Sequence, residues 1–493
     1  MTEFLPPPDV ARLIDRLAEL REERELYVVG GTVRDVLLGR EVHDIDLAVS
    51  GDAGTWARAV ADALGGHFVP LDDERDVARI VLDGEVHHID VAALQGGVED
   101  DMRRRDFTID AMAVRAGTPE VLDPLGGLAD VAACRVRMTS AAVLDDDPLR
   151  LLRGVRLAAE LGFAIEAATA DAIRERRGRA THPAPERRRD ELCRIFALEA
   201  AEPGVRLLEA LGLLDVLLPE VAVGKGVEQP KEHAYDVFEH NVRTVAALDV
   251  MLATQPPAGK DAWLWDEVWA IFGWCEDATR AYFREEMSEG RSRGALLKVA
   301  GLLHDVAKPQ TRAAQPDGRI RFFGHADAGA RIAAEIMRRY RFSARERRWV
   351  ALLVEEHLRP VQLAQVGEVP TRRALHRFFK DLGDAAIAVL FLSLADGAAA
   401  SGPRLTREGW RRQAAYMNSL LVRSFEDEGI VHPPRLLTGY DIMSALSLPE
   451  GPAIGRLLNA LEEAQGAGDV TDRDQALAFV KEQVRGAAGR GSD

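Results

Sequence analysis

The chain is poor in cysteine and in lysine, and it lacks long unbroken apolar runs. Cys134, Cys193 and Cys275 are the only cysteines in 493 residues and lie far apart, which excludes a disulfide framework and a cysteine-based zinc site. No apolar run approaches the ~20 residues that span a bilayer. The longest, around Ala385–Leu394, stops at Asp396. The opening MTEFLPPPDV has no basic-then-apolar signal pattern, so a cytoplasmic protein with no membrane partner is expected. Lysine supplies seven of the 63 basic residues and arginine the rest. A GC-rich coding sequence accounts for that bias, whereas selection of arginine for bidentate phosphate contacts has to be argued residue by residue. The net charge of −17 opposes a uniformly basic nucleic-acid binder, yet phosphate binding depends on local patches.

What is present is a soluble, multidomain composition: 47% hydrophobic, 29% charged, and long enough for about three cores. Residues 1–140 interleave short apolar runs (Leu26–Val29, Ile45–Val49, Ala78–Leu82, His88–Leu94) with Gly-containing turns and helical stretches. From Asp146 the period becomes helical, with Leu149, Leu152, Val155 and Ala159 at i, i+3, i+4 spacing. Gly224–Glu232 reads as a linker. Residues 233–400 are helical and hold most of the histidines, and a short helical tail follows the Pro433-Pro434 turn.

Two constellations carry chemistry. In the first, a strand ending at Val29 runs into Gly30-Gly31 and then a helix, an arrangement that lets backbone N–H groups approach a phosphate. Asp44-Ile45-Asp46 follows. Residues i and i+2 of a strand share a face, and two carboxylates held together call for a cation; hard oxygen ligands suit Mg²⁺. Asp90 sits inside another expected strand, and Arg103-Arg104-Arg105 precedes an apolar segment. Three acids, a Gly-Gly turn and arginine clamps are the parts of metal-assisted phosphoryl or nucleotidyl transfer.

These segments, GGTVRDVLLG-x3-HDIDL, DMRRRDFTIDAMAV, LDPLGG, DDPLRLLRGVRLAAELGF and ERRRDEL, in that order over residues 25–220, resemble the motifs of class II tRNA nucleotidyltransferases and bacterial poly(A) polymerases. The resemblance implies an α+β fold: a small polymerase-β-like head of about five strands plus helices (1–140), an all-helical neck (141–223), an HD domain (230–400) and a tRNA-binding tail (430–485). It implies Mg²⁺ on Asp44 and Asp46, with Asp90 as the third acid. Gly30, Gly31, Arg34 and Arg105 match nucleotide-contacting positions, and a helix from Asp147 supplies Asp147, Arg150, Arg153 and Arg156. Spacing by three puts Asp147, Arg150 and Arg153 on one face, where an acceptor beside a planar donor can select a nucleobase without a template.

The sequence departs from that pattern in three places. Asp110 stands where the family has Asn, and Asp146-Asp147 where it has Glu-Asp. Only fourteen residues separate Asp90 from Arg105, so a longer element that assists the switch from C to A addition is missing, which points away from complete CCA synthesis.

The second constellation is His240, His304-Asp305, His325, His357 and Asp396, a set suited to a divalent transition metal such as Mn²⁺, Ni²⁺ or Co²⁺. It resembles the HD phosphohydrolases, which implies hydrolysis of 2′,3′-cyclic or terminal phosphates. The expected activity is addition of C and/or A, from CTP and ATP, to the 3′ end of tRNA. The alternatives are a poly(A) polymerase or partial enzyme, an HD phosphohydrolase whose head only binds RNA, and a non-catalytic RNA-binding protein; the three acids count against the last two.

Overall fold

The computed structural model describes residues 3–73, 75–82, 88–317, 319–366, 370–431 and 433–489; His87, next to the Asp90 strand, lies outside them. The chain divides into two compact units, Met1–Ile195 with Pro203–Leu217, and Phe196–Glu202 with Leu218–Asp493. The expected head and most of the expected neck fall in the first unit; residues 196–202 and 218–223 of the neck fall in the second, with the HD and tail segments.

The first unit is built on a mixed sheet. Its strands are β1 (Leu26–Val29), β2 (Asp44–Val49), β3 (Gly66–Asp72), β4 (Val77–Leu82), β5 (His88–Ala93), β6 (Ala113–Arg115) and β7 (Val121–Leu122), in the order β3-β4-β5-β2-β1-β6-β7. That is seven strands where about five were expected. β3 is a mostly exposed edge strand with Pro70 at an irregularity, and β6 and β7 are too short to show a period. At the centre, β2 and β5 run parallel with Asp44 opposite His88 and Asp46 opposite Asp90. Ile45, Leu47 and Val49 point the other way, into a core shared with the helices Pro8–Glu19 and Ala53–Leu64.

Phe107, Ile109, Val136, Leu157 and Ala158 form a second core that packs the neck helix Arg150–Leu161 on the loop after the arginine cluster. Gly154 permits that approach: a Cβ there would lie 2.8 Å from Phe107 Cζ.

The second unit is helical around Val237–Leu252, Arg293–Leu303, His325–Arg339, Ala344–Glu356 and Ala386–Ser401. One helical run, Arg372–Arg404, is apolar and long enough to cross a membrane by length and composition, although no unbroken apolar run in the sequence is that long. Two thirds of its apolar window is buried (67%), as in the core helix of a globular unit. The segment 224–232 is not an open linker. Phe238 N–H donates to Gly224 O and Val237 N–H to Val227 O, while Arg404 donates to Lys231 O and Glu232 O. The tail helices Gly439–Leu446, Pro452–Ala467 and Arg473–Gly489 share a small core of their own.

Lys298 is buried and saturated: its Nζ donates to Leu198 O (2.6 Å) and Glu199 O (3.0 Å) and pairs with Asp249 Oδ1 at 2.8 Å. Lys298→Ala strands the buried Asp249 charge and two carbonyls, so the second unit should lose about 3–5 kcal/mol. Urea denaturation followed by far-UV circular dichroism measures this, and a loss under ~1 kcal/mol contradicts it.

Candidate active sites

In the first unit the acids assemble as strand geometry requires. Asp46 Oδ2 accepts from Gly31 N–H (3.2 Å), and Thr32 ties the start of β2 to the glycine turn by accepting from Asp46 N–H (2.7 Å) and donating to Asp44 O (3.1 Å). Gly30 has φ +67°, and a Cβ there would stand 2.8 Å from Arg105 Nη1 and 3.1 Å from Asp46 Oδ2. Glycine is therefore required both by the backbone and by the close approach of those side chains. Asp44 is about half exposed, 3.5 Å from His88 Nδ1. Asp90 is gripped by Arg79 through two bonds of 2.7 and 2.8 Å, a partner the sequence reading missed; the β4–β5 register opposes the two.

Burial pushes the Asp46 carboxyl up to about 6; Arg105 opposes the rise and Asp90 adds to it. The oxygen donors of acids so placed fit a hard cation such as Mg²⁺.

Beside them an arginine-lined cleft of about 640 Å³ is bounded by Arg104, Arg105, Asp147, Arg150, Arg153 and Arg187, among others. Arg34 is buried and pairs with Asp110 (2.5 Å) and Asp35 (2.9 Å). Arg153 pairs with Asp106 at 2.6 Å and lies 3.8 Å from Asp110. Asp110 thus sits between two guanidiniums. Burial alone would raise its carboxyl, but Arg34 and Arg153 outweigh that and lower it. A carboxylate at this position serves as a buried counter-charge.

The neck stripe differs from expectation. Asp147 is not in the helix but in extended backbone before it (φ −139°), where its carboxylate accepts from Leu149 N–H at 3.1 Å. Its charged partner is Arg187 (2.7 Å) from the ERRRDEL segment, and Arg150 donates to Val143 O. Asp147, Arg150 and Arg153 still meet in the cleft, but Arg156 does not. Steps of three drift about 60° each around a 3.6-residue helix. Arg156 consequently turns inward and is buried between Glu160 (2.5 Å) and Glu191 (2.8 Å).

The second unit brings all six HD-pattern residues together. Asp305 bridges two groups: its Oδ2 lies 3.2 Å from His240 Nε2 and 3.3 Å from His304 Nε2, and its Oδ1 3.3 Å from His325 Nε2 and 3.8 Å from His357 Nε2. Asp396 Oδ1 is 3.1 Å from His240 Nε2. His304, His325 and His357 are each aimed by a bond from Nδ1 to the carbonyl three residues back, Gly301, Phe322 and Val354, at 2.9, 2.7 and 2.7 Å. That bond fixes the tautomer and leaves Nε2 inward as a ligand atom.

Asp305 Oδ1 and His325 Nε2 are buried without a hydrogen-bond partner among the described residues, so the donor set fits a divalent metal. Burial lowers the His304 imidazole, but Asp305 and Asp396 outweigh it and raise it to about 10, so a cation binding Nε2 displaces a proton. Burial and His304 push His357 down to about 4.

The pattern missed Lys308, paired with Asp305 at 2.5 Å, together with Gln229 and His233 beside it. Lys308 lies only three residues after Asp305 in the sequence, but Gln229 and His233 lay in or at the edge of the segment taken for a linker.

A paired-acid mixed-sheet head preceding a helical unit with an HD cluster defines a nucleotidyltransferase with an appended HD domain. Family models agree: residues 26–137 match the Poly A polymerase head domain, 162–224 the "probable RNA and SrmB-binding site of polymerase A", and 274–400 the HD domain. The A-adding tRNA nucleotidyltransferase of Deinococcus radiodurans is 38% identical over 92% of this chain and 94% of its own length. The CC-adding tRNA nucleotidyltransferase of Thermus thermophilus is 35% identical over 93% of each. The chain belongs to the tRNA nucleotidyltransferase and poly(A) polymerase family. A CCA-adding enzyme solved with ATP shares the fold at TM-score 0.63 (20% identity, 97% of this chain and 96% of that one). The Thermotoga maritima CCA-adding enzyme complexed with tRNA does so at 0.58, with the same identity and coverage.

After incubation with Mn²⁺ and gel filtration, the protein should retain the ion through the histidine cluster. The double variant His304→Ala, Asp305→Ala should hold it at least ~tenfold more weakly by atomic emission of the eluted protein. Equal retention would place the bound ion elsewhere.

Proposed function

We propose that this chain adds C and/or A, from CTP and ATP, to the 3′ end of tRNA without a nucleic-acid template. The observation that carries the reading is the in-register pair Asp46 and Asp90, beside the Gly30-Gly31 turn and opening on an arginine-lined cleft. Asp44, Asp46 and Asp90 are the acids of nucleotidyl transfer, and Asp44 and Asp46 would hold Mg²⁺. Bound there, Mg²⁺ supplies activation of the attacking 3′-hydroxyl and neutralisation of the pyrophosphate. Gly31 N–H fixes Asp46, and Gly30 leaves room for Arg105 at the triphosphate. Arg34 and Arg153 are braced by Asp110 to face the nucleotide. Asp147 accepts from an exocyclic amino group and Arg150 donates to the ring edge, a pattern that C and A offer and that U and G reverse.

Arg187 holds the Asp147 carboxylate at the cleft, and the carboxylate keeps lone pairs for the amino group. The organisation follows as head 1–140, neck 141–223, HD domain 230–400 and tail 430–485, with the helical faces binding tRNA.

The brevity of the Asp90–Arg105 segment favours a second reading, a partial enzyme that adds only C or only A. Relatives named for A-adding and for CC-adding matched over nearly their full length support it. The histidine cluster is proposed as a metal-dependent phosphohydrolase site independent of the head.

Asp44→Ala and Asp46→Ala should each abolish extension of tRNAs ending at the discriminator base, at C and at CC, tested with each nucleotide separately; retention within ~tenfold of wild type refutes the head assignment. The three tRNA ends also separate CCA from partial addition. Asp147→Ala or Arg150→Ala should raise UTP and GTP misincorporation by roughly ten- to a hundredfold relative to CTP and ATP, because the remaining partner loses its complement. An unchanged selectivity ratio with a lower rate would make these residues braces of the neck. tRNA binding should weaken steeply with salt, and a flat dependence would leave the arginine clusters merely solvated.

A further inference from the structure

His233 lies outside the spacing pattern that defines the histidine cluster, yet the fold carries it there. Its segment is pinned by Ala234 N–H to Ala400 O (2.9 Å) and by Arg404 to Lys231 O and Glu232 O (2.7 and 2.8 Å). The ring stands edge-on to His240, with centroids 5.3 Å apart. Lys308 Nζ reaches Asp305 Oδ2 (2.5 Å), Gln229 Oε1 (2.6 Å) and His233 Nε2 (3.4 Å). Gln229 is oriented in turn by its amide donating to Tyr235 O at 3.2 Å.

An ammonium has only donors, so the nitrogen facing it must accept. A neutral imidazole has one proton, which therefore sits on Nδ1 of His233. That nitrogen is buried and has no acceptor among the described residues. The arrangement is the reverse of His304, His325 and His357, whose Nδ1 protons are spent on the backbone and whose Nε2 atoms face inward. A protonated nitrogen cannot ligate a cation. A buried donor with no protein acceptor, next to a metal-binding cluster, is complementary to an oxyanion.

We infer that His233 is a phosphate-binding residue of this centre, donating its Nδ1 proton to a phosphoryl oxygen while Lys308 holds the ring in that tautomer. The inference rests on the reading of the cluster as a phosphohydrolase site.

The test loads wild type and three variants with Mn²⁺, measures bound metal, and titrates inorganic phosphate by ³¹P relaxation. His233→Phe keeps a ring without nitrogen, His233→Asn places an amide N–H near the position of Nδ1, and His233→Gln places one near Nε2. Phosphate affinity should fall by ~tenfold or more in His233→Phe and His233→Gln and recover largely in His233→Asn, with equal metal content throughout. Unchanged affinity in His233→Phe overturns the inference, because Nδ1 then contributes nothing to phosphate binding. Loss of metal from all three variants also overturns it, making His233 a ligand or a scaffold residue. Wild type that takes up no Mn²⁺ sinks the phosphohydrolase reading itself, and this inference with it.

Discussion

The parallel pairing of β2 with β5 is the constraint on which the first unit depends. It sets Asp46 directly beside Asp90 on one face of the sheet and sends Ile45 and Leu47 into the core on the other. A one-residue slip would bury the acids and expose the core together, so packing and chemistry enforce the same register. The remaining features answer the charge this creates. Arg79 holds Asp90 from β4, and Arg105 reaches Asp46 through the space that Gly30 leaves open. The neck packs close through Gly154, and Arg150 and Arg153 project into the cleft beside them.

The second unit meets the same problem, acids gathered away from water, with a different chemistry. There the counter-groups are imidazoles and one lysine instead of guanidiniums. Two of the seven lysines, Lys298 and Lys308, are buried, and both spend several of their donors on oxygen acceptors. A compact ammonium suits a small, multi-directional acceptor set, while the planar guanidinium suits paired carboxylates and phosphates. At these two positions the acceptor geometry accounts for lysine standing where the chain elsewhere favours arginine.

Much of this was legible before the structure. The i, i+2 acids, the Gly-Gly turn and the ordered motifs pointed to the head, and the spaced histidines converge as their pattern implied. What stayed hidden depends on register or on turn geometry. Arg79 is matched to Asp90 only by strand pairing, and Arg187 meets Asp147 from forty residues away. Arg156 shares the spacing of its neighbours, but helical drift and a buried Glu191 take it elsewhere. Residues 224–232 have the composition of a linker, and only their backbone bonds to the helix Val237–Leu252 and the grip of Arg404 show that they deliver Gln229 to Lys308.

The bonds from three imidazoles to carbonyls three residues back have a wider consequence. His304 and His357 each follow the last turn of a helix, and His325 opens one after a short hairpin, so each ring is aimed by its own few residues of chain. Ligand orientation is in this sense written locally, with little need for distant support. Surface divergence can then be wide without disturbing the centre, whereas a single inserted residue in any of those three turns would rotate a ring away from its partners. Length in these turns, more than the identity of the surrounding surface residues, sets where the three rings point.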